Sequence, residues 1–196
     1  MSRAATVLRF VILTCAASQS MAAGDRDIDV KVHVDGEVVR VDASFSVSAS
    51  QQEVWAVMTD FDHMAKFIAN LKSSRVVARV DDVLTVSQAG EASFGPMSYK
   101  FESIREVRLW PMERVQARMI SGNMHRFESA TGLMADAGGT RVTYHSEAVP
   151  KAWIPPIVGR GFIEHETREQ FSEFRAEIMR RKPGQGRGER DESVRP

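Results

Sequence analysis

The sequence predicts an α+β domain: a curved antiparallel sheet of about six to seven strands wrapped around a long C-terminal helix, with two short helices after the first strands. Three observations carry this. A broken pair of short amphipathic segments occupies Gln51 to Leu71, strand-period alternation lies on both sides of it, and the one long amphipathic segment comes last. A sheet with one apolar face and a helix with one apolar stripe each need a partner, and here each supplies the other.

The first strands are Asp27 to Val34 and Glu37 to Val47, read as a hairpin around Asp35-Gly36. Val39, Val41, Ala43, Phe45 and Val47 alternate with polar residues, which gives one apolar and one wet face. Ser50 and Glu53 then form a capping box, and Val54, Val57, Met58 and Phe61 follow at helical spacing. Asp62 is placed to cap a second helix, with Met64, Phe67, Ile68 and Leu71 on one face. Neither helix is long enough to stand alone, so both must pack on the sheet.

Further strands are expected at Ser74 to Val80, Val83 to Gln88, Met97 to Ile104, Arg114 to Ile120, His125 to Leu133 and Thr140 to Val149. Within the third of these Met97, Tyr99, Phe101 and Ser103 share a face. So do Phe127, Ser129, Thr131 and Leu133, and later Val142, Tyr144, Ser146 and Ala148. Pro150 to Pro156 interrupts the pattern before a helix that runs to about Lys182, with Ile163, Thr167, Phe171, Phe174 and Ile178 on one stripe.

With 196 residues, of which 43% are hydrophobic and 27% charged, the chain can bury one substantial core, assigned to residues 24–182. Residues 1–23 read as a bacterial export signal: Arg3 and Arg9 flank the apolar run Phe10 to Ala17, and Ser20-Met21-Ala22 offers the small residues of a cleavage site. The expected location is therefore periplasmic or secreted, with a retained membrane anchor and lipidation at Cys15 as the weaker alternatives. Cleavage removes Cys15, the only cysteine, and hence all disulfide and thiol chemistry. Removing Arg3 and Arg9 from balanced totals of 26 basic and 26 acidic residues leaves a charge of about −2, which gives no support for nucleic-acid binding. From Pro183 the chain is glycine and charge, read as a disordered tail.

Two stretches carry a family resemblance. Val54-Trp55-Ala56-Val57-Met58-Thr59-Asp60-Phe61 followed by Phe67-Ile68-Ala69-Asn70-Leu71-Lys72-Ser73-Ser74 resembles the first helix, Thr-Asp break and second helix of the START and polyketide-cyclase (SRPBCC) superfamily. Gly139-Thr140-Arg141-Val142-Thr143-Tyr144 is similar to its penultimate turn and last strand. The resemblance spans about Val38 to Arg181, is closest to the polyketide cyclase/dehydrase and coenzyme Q-binding START-type branch, and implies a helix-grip fold. It specifies no single function, because the superfamily holds lipid carriers, coenzyme Q-binding proteins, aromatases and cyclases, and hormone receptors.

The helix-grip fold implies a cavity between sheet and long helix. Projected onto it, the strand alternation points Met97, Tyr99, Phe101, Met119, Phe127, Thr131 and Tyr144 inward, with Phe162 and Ile163 from the helix. The short helices are expected to form its wall or entrance, with Met64, Phe67 and Ile68 nearest the mouth. This apolar, aromatic, methionine-rich set with a few hydroxyls suits a hydrophobic ligand with one polar end. Relatives often carry a bulky aromatic near Thr131, so the smaller residue implies an enlarged cavity, or a hydroxyl that bonds a neighbour.

Catalytic and metal motifs fail on inspection, and no cofactor is implied. His165-Glu166-Thr167-Arg168-Glu169 lacks the second histidine of a zinc-protease helix. His145 and Glu147 fall on the wet side of their strand with Arg141 and Thr143, as a surface pair. Gly159-Arg160-Gly161 reads as a helix entry. Arg105 continues the inward alternation, where it would hold a carboxylate or carbonyl, but the preferred reading places it exposed at the rim. Trp153 and Ile154, near Lys151 and Arg160, form either a lid or membrane-touching edge or a pin for the loop.

The leading expectation is an exported protein that binds or transports a hydrophobic small molecule (lipid, isoprenoid quinone or polyketide-like). The runner-up is an aromatase, cyclase or dehydratase with Tyr99, Ser103, Arg105 and Tyr144 as weak proton-transfer candidates. A third, an envelope protein-interaction module, predicts a filled interior and an exposed apolar patch.

Overall fold

The computed structural model describes residues 28–94, 97–151 and 156–182, without the side chains of residues 94, 97 and 156–158. The segment read as an export signal, the charged C-terminal segment, Trp153 with Ile154 and the Met97 side chain therefore lie outside the described residues. The chain opens with a hairpin of β1 (Asp29–Asp35) and β2 (Val38–Val47). Asp35 pairs with Val38, so the turn is Gly36-Glu37, one residue later than the sequence suggested. Gly36 has φ of 59°, and a two-residue turn with glycine at its first central position matches the right-handed twist of the strands.

Helix α1 (Gln51–Met58) carries the expected capping box: Ser50 Oγ accepts the Glu53 N–H at 3.3 Å, and the Glu53 carboxylate accepts the Ser50 N–H at 2.7 Å. The second short helix departs from expectation. It is a 3₁₀ helix, Phe61–Lys66, entered at Asp60 without a side-chain cap. The Asp62 carboxylate accepts the Val76 N–H at 2.8 Å instead, and so ties the helix to β3 (Leu71–Val80), which Leu71 has already joined. Six residues give too few backbone bonds to sustain an α-helix when the next strand claims the exit.

Strands β4 (Val83–Phe94), β5 (Met97–Trp110), β6 (Arg114–Gly122), β7 (Met124–Asp136) and β8 (Gly139–Pro150) complete the sheet. Its order is β1-β2-β8-β7-β6-β5-β4-β3, all antiparallel where registered. The sheet has eight strands rather than six or seven, since every one of the alternating segments joins it, and both edge strands, β1 and β3, pair over their whole length with a hairpin neighbour. β4 and β5 also outrun their alternation. At Gly90 the Asn70 carbonyl oxygen and the Phe101 ring stand 2.1 and 2.6 Å from where a Cβ would be, so only glycine admits this approach.

Helix α2 (Pro156–Arg181) crosses the concave face. Its C-terminal half is packed: Phe171 meets Phe45 at 5.6 Å and Tyr144 at 5.2 Å between ring centroids, Phe174 meets Phe67 at 5.6 Å, and Ile178 is fully buried. Val54, Val57, Leu84, Val86 and Val142 join the same core. No helix among the described residues is long and apolar enough to cross a membrane.

A charged latch fixes this end of α2 to the short helices. Arg181 Nη1 donates to Asp60 Oδ2 at 2.7 Å while its Nε donates to Glu177 Oε1 at 2.7 Å, and Arg180 Nε donates to Glu177 Oε2 at 2.6 Å. The Glu177 side chain is only 7% exposed. The Arg180 guanidinium, with Arg181, holds its carboxyl down at about 2. A carboxyl depressed on folding stabilises the native state fully above its unfolded value, here 4.5, and ceases to do so as pH falls through about 2. Denaturant midpoints measured across that window should fall with acidification, and Glu177→Gln should both lower the neutral-pH midpoint and flatten the acid limb. An unchanged acid limb in Glu177→Gln would show that the latch is not the titrating element.

Candidate ligand-binding cavity

The N-terminal half of α2 stands away from the sheet and leaves a cavity of about 490 Å³. Phe162, Ile163, Thr167 and Gln170 form its roof, and Tyr99, Phe101, Ser103 and Arg105 of β5, with Met119 of β6, form one wall. Phe127, Ser129 and Thr131 of β7 and Tyr144 and Ser146 of β8 form the other. Alternation explains this placement, because residues two apart on each strand point to the same concave face. Ser98 and Glu102 are exposed wall residues and mark the rim beside the β4–β5 hairpin. The rim is braced by Asn123, whose Nδ2 donates to the Lys100 carbonyl at 2.8 Å while its Oδ1 accepts the Glu102 N–H at 3.1 Å.

Towards the core the buried Met58, Phe61, Val107 and Ala117 close the inner end, Val39 and Val41 of β2 wall one side, and Leu71 stands beside Gly90, which pairs with Phe101. Met64 lines the cavity from the side, where its Sδ accepts from Gln88 Nε2 at 3.5 Å beside Ser103. Phe67 and Ile68 are absent from the wall: Phe67 packs on Phe174 with the Arg181 guanidinium 5.4 Å over its ring, and Ile68, 1% exposed, belongs to the core. The latch and the Asp62–Val76 bond hold the short helices against α2 and β3, while Asn70, which follows them, lines the cavity and donates to Glu166 of α2 at 3.1 Å.

Arg105 reverses the preferred sequence reading. β5 continues beyond it to Trp110, so the residue lies well inside the sheet, enclosed by protein, with its remaining surface turned to the cavity. Its Nε is buried without a hydrogen-bond partner, and no ion pair reaches it among the described residues. The guanidinium stands 5.7 Å from the centre of the Phe127 ring. Burial pushes its pKa below the usual arginine range while Tyr144 opposes that shift. Burial also pushes the Tyr144 phenol up, against the hydroxyls of Ser146 and Ser129 and the Arg105 charge, so the phenol remains a donor at neutral pH. Tyr99, nearer the rim, is likewise raised by burial.

The structure thus brings Tyr99, Ser103, Arg105 and Tyr144 onto one cavity. Sequence reasoning missed Ser129 and Ser146 as wall residues, although both share a face with wall residues it did name, and it missed Gln88, whose Nε2 donates to Ser74 Oγ at 2.9 Å inside the wall. The period-two run Leu84, Val86, Gln88 was the available signal. Other flagged groups lie outside: His145 Nδ1 is 2.7 Å from Asp42 Oδ1 on the exposed face, and Glu147 accepts from Arg40 at 3.0 Å and pairs with Arg126. An unpaired buried cation opposes folding, so Arg105→Met should raise the unfolding free energy of the ligand-free protein by about 1–3 kcal/mol, read from denaturant titration. A loss of stability would mean that the guanidinium has a compensating partner.

Comparison with known proteins agrees with this architecture. Residues 47–175 match the family described as polyketide cyclase / dehydrase and lipid transport. No match is found among curated proteins. Among solved structures, a STAR-related lipid transfer protein fragment from Xanthomonas axonopodis aligns with a TM-score of 0.67 at 15% identity, over 78% of this chain and 94% of that one. The Zhui aromatase/cyclase from Streptomyces sp. R1128 gives 0.63 at 13% identity over 74% and 95%, and a START superfamily protein from Mycobacterium smegmatis gives 0.61 at 14% over 72% and 97%. At such identities the likeness is one of fold, and it is the helix-grip fold described above. With two thirds of its length matched by the family and its sheet, helix and cavity arranged accordingly, the chain belongs to the polyketide cyclase / dehydrase and lipid transport family.

Proposed function

We propose that this is an exported protein that binds a hydrophobic small molecule, such as a lipid, an isoprenoid quinone or a polyketide-like compound, and carries or sequesters it. The observation that carries the reading is the cavity of about 490 Å³, apolar over most of its wall and polar at one inner cluster. Its size falls in the range of small-molecule sites. Burying about 300 Å² of ligand apolar surface gives roughly 7 kcal/mol gross at about 25 cal/mol per Å², enough for micromolar binding after ordering costs. The lipid-transfer protein among the structural neighbours supports the same reading. Export rests on the character of residues 1–23, and peripheral membrane contact rests on Trp153 and Ile154 beside Lys151.

A second reading, cyclisation or dehydration of a reactive chain held in the same cavity, is favoured by the convergence of Tyr99, Ser103, Arg105 and Tyr144, and by the aromatase/cyclase neighbour. Such chemistry relies on holding a folded chain beside proton-transfer groups. Turnover that survives substitution of all four would exclude those residues as its machinery. The interaction-module reading is weakened by the open interior.

Native mass spectrometry of gently purified protein should show a hydrophobic small-molecule adduct, and the delipidated protein should bind the neutral fluorophore N-phenyl-1-naphthylamine. Thr131, 9% exposed at the inner wall, is where added bulk displaces ligand. Thr131→Phe should weaken fluorophore binding about tenfold, equivalent to roughly 55 Å² of lost apolar contact at about 25 cal/mol per Å². No adduct and no fluorophore binding would overturn the proposal.

A further inference from the structure

We propose that the ligand is an amphiphile with a singly charged carboxylate-type head, bound head-inward on Arg105 with its chain running towards the Ser98–Glu102 rim. This rests on the reading of the cavity as a hydrophobic small-molecule site and adds the charge and orientation of what fills it.

The argument begins with charge. Among the described wall residues Arg105 is the only Lys, Arg or His, and Glu102, exposed at the rim, is the only carboxylate. Arg105 and Glu102 lie three residues apart on β5, about 10 Å at roughly 3.3 Å per residue, and on opposite sides of its alternation. Among the described residues no acidic side chain is therefore placed to neutralise the guanidinium, and its Nε is buried without an acceptor. A neutral lipid or quinone would leave that charge uncompensated in an apolar enclosure, whereas an anion satisfies it and gains charge-assisted hydrogen bonds. One cation matches one negative charge. A doubly charged head would bring an unmatched charge into the same enclosure.

The neighbours of Arg105 fit the same head group. Tyr144, Ser129, Ser146 and Ser103 present hydroxyls on the cavity wall, able to donate to a carboxylate's remaining lone pairs. Depth sets the orientation. Tyr99 lies near the rim and Arg105 six residues further along β5, about 20 Å of strand at roughly 3.3 Å per residue. Phe101, Met119, Phe127, Phe162 and Ile163 line the intervening space and offer apolar surface for a chain. Beyond Arg105 the wall runs on through Val107 and Ala117 to Val115 and Thr131 and ends against the buried Phe171 and Phe174, so the open direction for a chain from a head seated on Arg105 is that of the rim.

The test compares dodecanoate, dodecanol and methyl dodecanoate, all below micellar concentrations at neutral pH, as competitors of N-phenyl-1-naphthylamine on the delipidated protein. Dodecanoate should displace the fluorophore at about tenfold to a hundredfold lower concentration than the alcohol or ester, as expected for hydrogen bonds to a charged group. In Arg105→Met the ratio between alcohol and acid should fall to about one. Tyr144→Phe should reduce the ratio by about threefold to tenfold, and it keeps the test open if Arg105→Met does not fold. Equal potency of acid, alcohol and ester, or an acid preference that survives Arg105→Met, overturns the inference while leaving hydrophobic binding intact. If the fluorophore does not bind and none of the three protects the protein against thermal unfolding, the cavity reading itself falls, and this inference with it.

Discussion

A sheet of eight twisted strands encloses more concave apolar surface than the stripe of one helix can cover, and the rest of this structure follows from where the mismatch is placed. α2 spends its large side chains, Phe171, Phe174 and Ile178, at one end, where they interlock with Phe45, Phe67 and the core valines. Towards its N-terminus the stripe changes to Ile163, Thr167 and Gln170, and the sheet opposite offers Ser129, Ser146 and Tyr144. Packing is therefore dense at the base and open above it. The helix is about 39 Å long at 1.5 Å per residue, so one element serves as a wedge at one end and a roof at the other.

The latch and the cavity divide stability and function along the same axis. At the base, Glu177, Arg181 and Asp60 join α2 to the short helices, and the Asp62–Val76 bond joins those helices to the sheet. These contacts hold the wedge in register, so the open end need not supply packing energy. That freedom allows Arg105, a residue that opposes folding when unpaired, to sit on the cavity wall. Local rule-breaking at a site held by a consistent scaffold is the pattern expected of a functional position.

Much of the fold was legible because it is written in periodicity. The capping box at Ser50 and Glu53, the period-two faces of β2, β7 and β8, and the α2 stripe each express a short-range rule that tertiary context does not override. The misreadings arose where a long-range partner decided the outcome. Asp62 looked like a cap and became a bond to Val76, fourteen residues away; Phe67 and Ile68 looked like an entrance and became part of the core, whereas Met64 does line the cavity. Arg105 was the most consequential. Its alternation pointed inward, but a charged residue on an apolar face is ordinarily a rim residue, and only the extension of β5 to Trp110 shows that the rim lies at the other end. Ser129 and Ser146 were visible on the right faces and were passed over because serine carries no signal of burial by itself.

The claim on which the account stands is that the space under the N-terminal half of α2 takes up a hydrophobic chain. Methionine methyl groups report on it directly, since Met58, Met64, Met119 and Met124 line the cavity whereas Met112 and Met134 are exposed elsewhere. In a methyl NMR titration of methionine-labelled protein with dodecanol, a neutral chain that leaves the charge question aside, the four cavity methyls should shift saturably and the two exposed ones should not. Shifts confined to Met112 and Met134, or no saturable shift at all, would contradict the account.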